Sequence, residues 1–376
     1  MCDFIIERSN NIMKKAIALV MAACLAFGLV ACGGASSSTA TSTSTASSAA
    51  STSEAASSEA ASSEAAATEA GVKTGMAIVS DTSSTKSADA DGDGLAQVDS
   101  TVAAVLVGED GKIISCKLDV AQNKIPVTAE GTFDTTLTFQ SKQELKEGYN
   151  MKGTSGIGKE WYEQANAFAE YVVGMTAEEV RAIETNPEAH NGPVDADIAA
   201  SCTMGVVDFI DAIALATENA QVLGASAEDN LTLGLSTNMD SSKLPADNEG
   251  EGLVQTDTTY AAVTTDAEGK ITSSIWDCTQ AKFDVTEAGE VTSKGDVVSK
   301  QVQLENYNMK GASAIGKEWY EQADAYAAWL VGKTAADVAA IETDSEAHNG
   351  PVDADIAASC TMNVVEFNTA VEKALA

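Results

Sequence analysis

Histidine, aromatic residues and positive charge are all scarce in this 376-residue sequence, and each scarcity excludes something. There are two histidines, His190 and His348, too few for a metal or haem site built on several histidines of one domain. Aromatics make up 5%, so any platform for stacking a ring must come from a handful of candidates. Lys and Arg number 22 against 56 Asp and Glu, a formal net charge of −34. A chain this acidic repels phosphate backbones and anionic headgroups, so nucleic acid is excluded as a partner and charge does not hold the chain to lipid. The balance fits a soluble, self-repelling protein outside the cytoplasm.

The N-terminal stretch is an export signal. Met13-Lys14-Lys15 followed by an apolar run to Val30 has a charged start, a short hydrophobic region and a small-residue cleavage site, which makes Met13 the expected start of translation. Leu29-Val30-Ala31-Cys32 reads as a lipobox, so Cys32 is expected to be diacylated after removal of residues 1–31. The apolar run is too short for a membrane span and ends in Cys-Gly-Gly. Residues 32–73 are almost wholly Ser, Thr, Ala and Glu. Such a segment has nothing large and apolar to bury and reads as a disordered tether with a coil length of about 30 Å. It would lift the C-terminal three hundred or so residues (roughly two domains' worth of chain) off the membrane surface, and its hydroxyls offer sites for O-glycosylation.

Beyond the tether the sequence repeats itself. From Gly94 and Gly252 to the end, two copies align without a gap. Tyr149–Met204 and Tyr307–Met362 agree at 43 of 56 positions, whereas Gly94–Gly148 and Gly252–Asn306 agree at 22 of 55. The unequal divergence places a shared site in the C-terminal half of each copy, with partial gene conversion as the alternative. Two domains are expected, residues 74–220 and 232–376, joined by 221–231. In each, alternating apolar runs predict antiparallel strands: Gly75–Ser80, Val102–Val107 and Ile113–Leu118, then Gly234–Thr237, Tyr260–Thr265 and Ile271–Ile275, with Thr135–Phe139 and Asp296–Val298 as weaker candidates. The acidic-Gly-Lys stretch Glu109-Asp110-Gly111-Lys112 predicts a hairpin turn. Ile157, Trp161, Ala165, Phe168 and Val172 share one face of a helix from about Lys159 to Val173. Thr176 and Thr334 open short helices as capping boxes. Strands first and helices after, twice over, is an α+β class with two tandem homologous domains.

Ten residues, Asp195–Met204, recur unchanged at Asp353–Met362. Each copy is followed by apolar residues at helical spacing: Val206, Phe209, Ile210 and Ile213, then Val364, Phe367, Ala370 and Val371. Thr203 and Thr361 are thus expected at or beside a helix start, where unpaired N–H groups favour a phosphate. The pattern Asp-x-x-Ala-Ser-Cys-Thr resembles the attachment motif of the FMN-binding domain family, Asp-x-x-Ser/Thr-Gly-Ala-Thr. Asp197 with Thr203, and Asp355 with Thr361, match it in type and spacing. Ser201 and Cys202, like Ser359 and Cys360, stand where the family has Gly-Ala. The glycine segments Gly153–Lys159 and Gly311–Lys317 resemble the family's glycine-rich segment. The resemblance covers most of each repeat and implies FMN at each threonine, bound covalently by a flavin transferase or noncovalently. It assigns a phosphate or the flavin edge to Gly156, Gly158, Gly316, Lys159 and Lys317. It further implies an electron carrier rather than a turnover enzyme, working between a membrane donor and an extracellular acceptor.

Other patterns compete with this one. The glycine segments also match P-loop spacing, but Glu160 and Glu318 stand where Mg²⁺ needs Ser or Thr. Trp161, Trp319, Tyr162 and Tyr320 could stack a flavin, though at helical spacing the tryptophans read as core. His190 and His348 read as solvated turn residues. Asp89-x-Asp91-x-Asp93 opens like an EF-hand loop but has Ser100 at the twelfth position, and reads as an acidic turn. Among seven cysteines only Cys202 and Cys360 are repeat-equivalent. Bridges from Cys116 to Cys202 and from Cys278 to Cys360 stay open beside buried free thiols. Thiol redox chemistry lacks a Cys-x-x-Cys pair. The rival to a flavin carrier is a surface binding or adhesion module that keeps the scaffold without the flavin.

Overall fold

A computed structural model describes residues 71–376. The leader, Cys32 and the tether up to residue 70 lie outside the described residues. Repeat 1 opens with a three-stranded antiparallel meander of β1 (Lys73–Asp81), β2 (Gly94–Val107) and β3 (Ile113–Val127). Helices α1 (Lys142–Leu145), α2 (Trp161–Tyr171) and α3 (Ala177–Arg181) follow. A two-residue ladder of β4 (Thr185–Asn186) and β5 (Gly192–Pro193) then leads into the single turn α4 (Ala196–Ala199) and the long helix α5 (Val207–Glu218). Repeat 2 runs β6 (Asn230–Asn238), β7 (Glu251–Thr265), β8 (Ile271–Thr286) and a short edge strand β9 (Val291–Ser293). It continues with α6 (Lys300–Gln303), α7 (Trp319–Trp329), α8 (Ala335–Ala339), the ladder β10 (Thr343–Asp344) and β11 (Gly350–Pro351), α9 (Ala354–Ala357) and α10 (Val365–Leu375). The class is α+β.

Local chemistry explains most boundaries. The β2–β3 turn closes through Gly108 N–H to Lys112 O, with Gly111 at φ +76°, a conformation glycine adopts at no steric cost. Ser141, Thr176 and Thr334 each cap a helix whose third residue reaches back to the cap N–H. The α2 helix is shorter than the periodicity suggested because Glu160, not Lys159, is its N-cap, paired with Glu163 in a capping box.

The strands alternate between two apolar environments. On β2, Ala103, Val105 and Val107 join Trp161, Phe168, Phe209 and Ile213 in a core under the helices. The intervening Val102, Ala104 and Leu106 face the other way and pack with Leu231, Leu235, Tyr260 and Ala262 of repeat 2. Further along, Ala96, Val98, Ile125 and Val127 meet Val254, Phe283 and Val285. Each sheet therefore has helices on one face and the other repeat's sheet on the other. Residues of both repeats belong to one compact unit, a four-layer α/β/β/α arrangement with a shared middle. The hairpin loops after β3 and β8 meet reciprocally: a Cβ on Gly131 would lie 2.1 Å from Thr286 O, and one on Gly289 2.6 Å from Thr128 O. These positions are repeat-equivalent, so the repeats are related by an approximate two-fold axis.

Two weaker strand expectations fail. Thr135–Phe139 and Asp296–Val298 are not strands. Leu137, Phe139 and Val297 are apolar because they pack as loop over the end of the shared core.

Candidate functional site

The duplicated decapeptide makes a single helical turn and ends before the long helix begins. Asp195 caps α4, its Oδ1 accepting the Asp197 N–H at 2.9 Å; Asp353 does the same for Asp355 at 2.9 Å. Ile198 and Ile356 anchor the turn in the core. Cys202 and Cys360 follow as fully buried residues; Thr203 returns to the surface and Thr361 is half-buried. The long helices begin only at Val207 and Val365, with Val206 and Val364 as N-caps that make no side-chain cap bond. Each threonine thus lies beside the start of the long helix, three residues before its N-cap, and not at it. Met204, Gly205 and Val206, and their counterparts, separate each hydroxyl from the helix dipole.

What fixes each threonine is a glutamine that no sequence motif marks. Gln164, on α2, has no solvent exposure. Its Oε1 accepts the Thr203 N–H at 2.9 Å and the Thr203 hydroxyl at 3.3 Å. Its Nε2 donates to Ser155 Oγ at 3.0 Å and to Lys159 O at 3.1 Å. Gln322 repeats the set: Thr361 N–H at 3.0 Å and hydroxyl at 3.3 Å, Ser313 Oγ at 3.0 Å and Lys317 O at 3.2 Å. Two acceptor and two donor contacts meet the bonding capacity of an amide side chain. The glycine segment and the threonine motif, far apart in sequence, are joined through this one buried group. A signal was present: a polar residue between Trp161 and Phe168 on an otherwise apolar helix face, repeated in the second copy.

The glycine segment is an exposed turn. Gly158 and Gly316 take φ +64° and +65°, and a Cβ there would meet nothing within 4 Å. Their role is conformational. Gly156 is also open, and its counterpart is Ala314. The amides of Thr154, Ser155 and Gly158 bond within the turn. Glu160 closes the turn by accepting the Met151 N–H at 2.8 Å, as Glu318 does for Met309. Lys159 and Lys317 are half-buried, and their charge draws on the thiols of Cys202 and Cys360, against burial that pushes both up to about 11. Ser201 and Ser359 stay in the turn, their N–H groups bonded to Ile198 O and Ile356 O.

Beside Thr203 lies a shallow depression of about 270 Å³ lined by Asn186, Ala189, Gly192, Val194, Cys202 and Thr203. At its edge Tyr171 donates to Asp195 Oδ2 at 2.8 Å. That bond, after the Asp197 N–H, holds the Asp195 carboxyl below its ordinary range. In repeat 2 the equivalent position is Trp329, with Lys333 Nζ 3.7 Å from its ring centroid. Trp161 and Trp319 are buried core residues, while Tyr162 and Tyr320 bond outward to Glu147 and Glu305. None of these four lines the depression. His190 and His348 sit exposed in left-handed turns. Asp89 accepts the Asp91 N–H at 2.9 Å as an acidic turn, and no cluster suited to a metal ion occurs among the described residues.

The four cysteines among the described residues are free and buried. Burial pushes the Cys116 thiol to about 12 and that of Cys278 to about 11. Thiols so placed are poor nucleophiles, which removes the thiol-redox reading. No helix among the described residues is long and apolar enough to cross a membrane.

An FMN group can be tested against this geometry. The attachment end fits: a surface hydroxyl held by a buried amide, with a lysine on the same buried hub. The ring end is not enclosed, since pockets that bury a cofactor-sized ligand start at about 300 Å³ and are lined by converging groups.

Comparison with known proteins gives one partial likeness. Over 95 residues the chain is 30% identical to a chlorophenol reductase of Desulfitobacterium hafniense, an alignment covering 22% of this chain and 29% of that protein. The chain thus spans less than a third of the length of this curated relative. No protein-family model matches the chain, and no solved structure does.

Proposed function

We propose that the protein is a flavin carrier on the outer face of the cell membrane, with FMN joined to Thr203 and Thr361 and the lipid on Cys32 as its anchor. The observation that carries this reading is the threonine hydroxyl presented twice, each time against a buried glutamine, from a motif that resembles the FMN-binding family's attachment sequence. The partial likeness to a protein named as a reductase supports a redox role. FMN supplies one- and two-electron chemistry when bound. The chain's own residues do the rest. Gln164 and Gln322 set the attachment point, Lys159 and Lys317 bring positive charge towards it, and Asp195 and Asp353 rigidify the turn. Electrons would pass from a membrane donor to an extracellular acceptor, and a flavin transferase would load the sites.

Purification from the native host tests this. Yellow protein whose colour survives denaturation is expected, and Thr203→Ala should remove about half of the flavin absorbance, since one of two equivalent sites is lost. Colourless native protein that also fails to take up added FMN would leave the second reading, a surface binding module. The shallowness of the depression beside Thr203 favours that reading wherever no covalent bond is made.

A further inference from the structure

We infer that Gln164 and Gln322 are positioning residues that prepare the two threonine hydroxyls as acceptors of an activated phosphate. The inference rests on the flavin reading and specifies how its site is made. An amide oxygen has no hydrogen to give, so in each Thr–Gln contact the threonine hydroxyl must be the donor. Its hydrogen points into the protein and its lone pairs are left facing out. The same Oε1 holds the threonine's backbone N–H, fixing the residue as well as the rotamer. The amide cannot swing away, because its nitrogen is held by a serine hydroxyl and a lysine carbonyl. An exposed threonine normally samples several rotamers. Here one is selected, with the nucleophilic lone pairs directed at solvent.

That is the arrangement a phosphoryl-type transfer needs. Thr203 Oγ1 forms the bond to phosphorus while the phosphoanhydride bond of a flavin dinucleotide donor breaks. The leaving nucleotide monophosphate takes the bonding electron pair. The hydroxyl proton stays on oxygen, held towards Gln164 Oε1, until the new bond is largely made; it then passes to a non-bridging oxygen of the transferred phosphate and from there to water, as a loose transition state allows. No oxidant or reductant is required. An anhydride donor is needed because FMN itself has no leaving group on its phosphate other than hydroxide. Orientation, not base strength, is then the chain's contribution, and misplacement of a reacting atom by about 1 Å can cost on the order of 100-fold.

The shared core supplies an internal control, because damage to the fold of one repeat reaches the other. Full-length wild type, Gln164→Met and Gln322→Met would be expressed in the native host, and the fraction of Thr203 and Thr361 peptides carrying the flavin nucleotide read by mass spectrometry during the first rounds of loading. Methionine keeps the volume and removes the acceptor. In Gln164→Met we expect Thr203 loading to fall roughly 10- to 100-fold with Thr361 unchanged, and the reverse in Gln322→Met. Gln164→Glu keeps an acceptor facing Thr203 but loses the Nε2 bonds to Ser155 and Lys159, so its Thr203 loading should fall between wild type and the methionine variant. Equal loading of Thr203 in Gln164→Met and wild type overturns the inference, as does equal loss at both threonines or a Gln164→Glu as poor as the methionine variant. Wild type bearing no flavin on either peptide is a different result, which sinks the flavin reading and this inference with it.

Discussion

Two buried carboxylates show how single residues organise the segment in front of the site. Asp119 and Asp277 occupy equivalent places on β3 and β8, each about 5% exposed or less. Asp119 Oδ1 accepts the N–H of Val120 at 2.7 Å and of Gln143 at 3.0 Å, and Asp277 accepts those of Cys278 and Gln301 at 2.7 and 3.0 Å. Each pins the first turn of a short helix to the sheet. Burial nevertheless dominates and pushes Asp119 up to about 7 and Asp277 up to about 6. In the unfolded chain both should titrate near the ordinary value of about 3.9. The folded state therefore binds these protons more tightly. The stabilising contribution is complete below about pH 4 and is lost as pH rises through the folded values. Asp119→Asn keeps an acceptor for both N–H groups and cannot ionise. Its urea midpoint should decline less than that of wild type between about pH 5 and 8. An identical decline in both proteins would show that Asp119 is ionised in the fold at no cost.

At the scale of elements, legibility followed the type of environment. The helices carrying Trp161 and Val206 were readable because each buries a single stripe. The strands were read too short: Val102–Val107 stood out, but β2 begins at Gly94 and β3 runs on to Val127. Both faces of these strands are covered, and the face between the sheets is partly polar. Asn123 Nδ2 reaches Thr258 Oγ1 at 3.1 Å, Thr74 Oγ1 meets Ser273 Oγ at 2.7 Å, and Tyr260 meets Thr279 at 3.0 Å, all buried. A hydroxyl-rich interface breaks the apolar alternation a strand search depends on. The same cause hid Gln164, since a buried amide looks like surface until its four partners are seen. Thr203 stands out in the sequence by its motif. Its distance from the helix start was not legible, because nothing in the residue types between Thr203 and Val207 fixes where helical dihedrals begin. Packing of the long helices on the sheets depends on two glycines. A Cβ at Gly75 would lie 2.0 Å from Ala216 O, and one at Gly234 1.9 Å from Ala370 O. Gly75→Ala and Gly234→Ala should each destabilise by about 1–3 kcal/mol or more, as overpacking does. Thermal unfolding of each variant at neutral pH checks this, and an unchanged midpoint would mean the helix slides freely.

For the whole molecule, the two repeats of the sequence lie in one compact unit. The approximate two-fold axis brings each repeat's sheet against its equivalent, as a symmetric dimer would, with the partner tied on by residues 221–229. Such an interface is isologous: the same patch serves on both sides. A fragment of residues 230–376 would expose Leu231, Leu235, Tyr260, Phe283 and Val285, which are at most 4% exposed in the full chain. Exposed apolar surface of that extent is relieved by association. The fragment keeps both halves of a self-complementary patch, because each repeat supplies Thr128 or Thr286 and Gly131 or Gly289 to the same crossing. It should therefore pair with itself. Sedimentation and chemical unfolding across protein concentrations give the check. The expected fragment is a dimer whose unfolding midpoint rises with concentration. A monomer that unfolds cooperatively at a concentration-independent midpoint would show that each repeat's helical core suffices without the sheet-on-sheet contact.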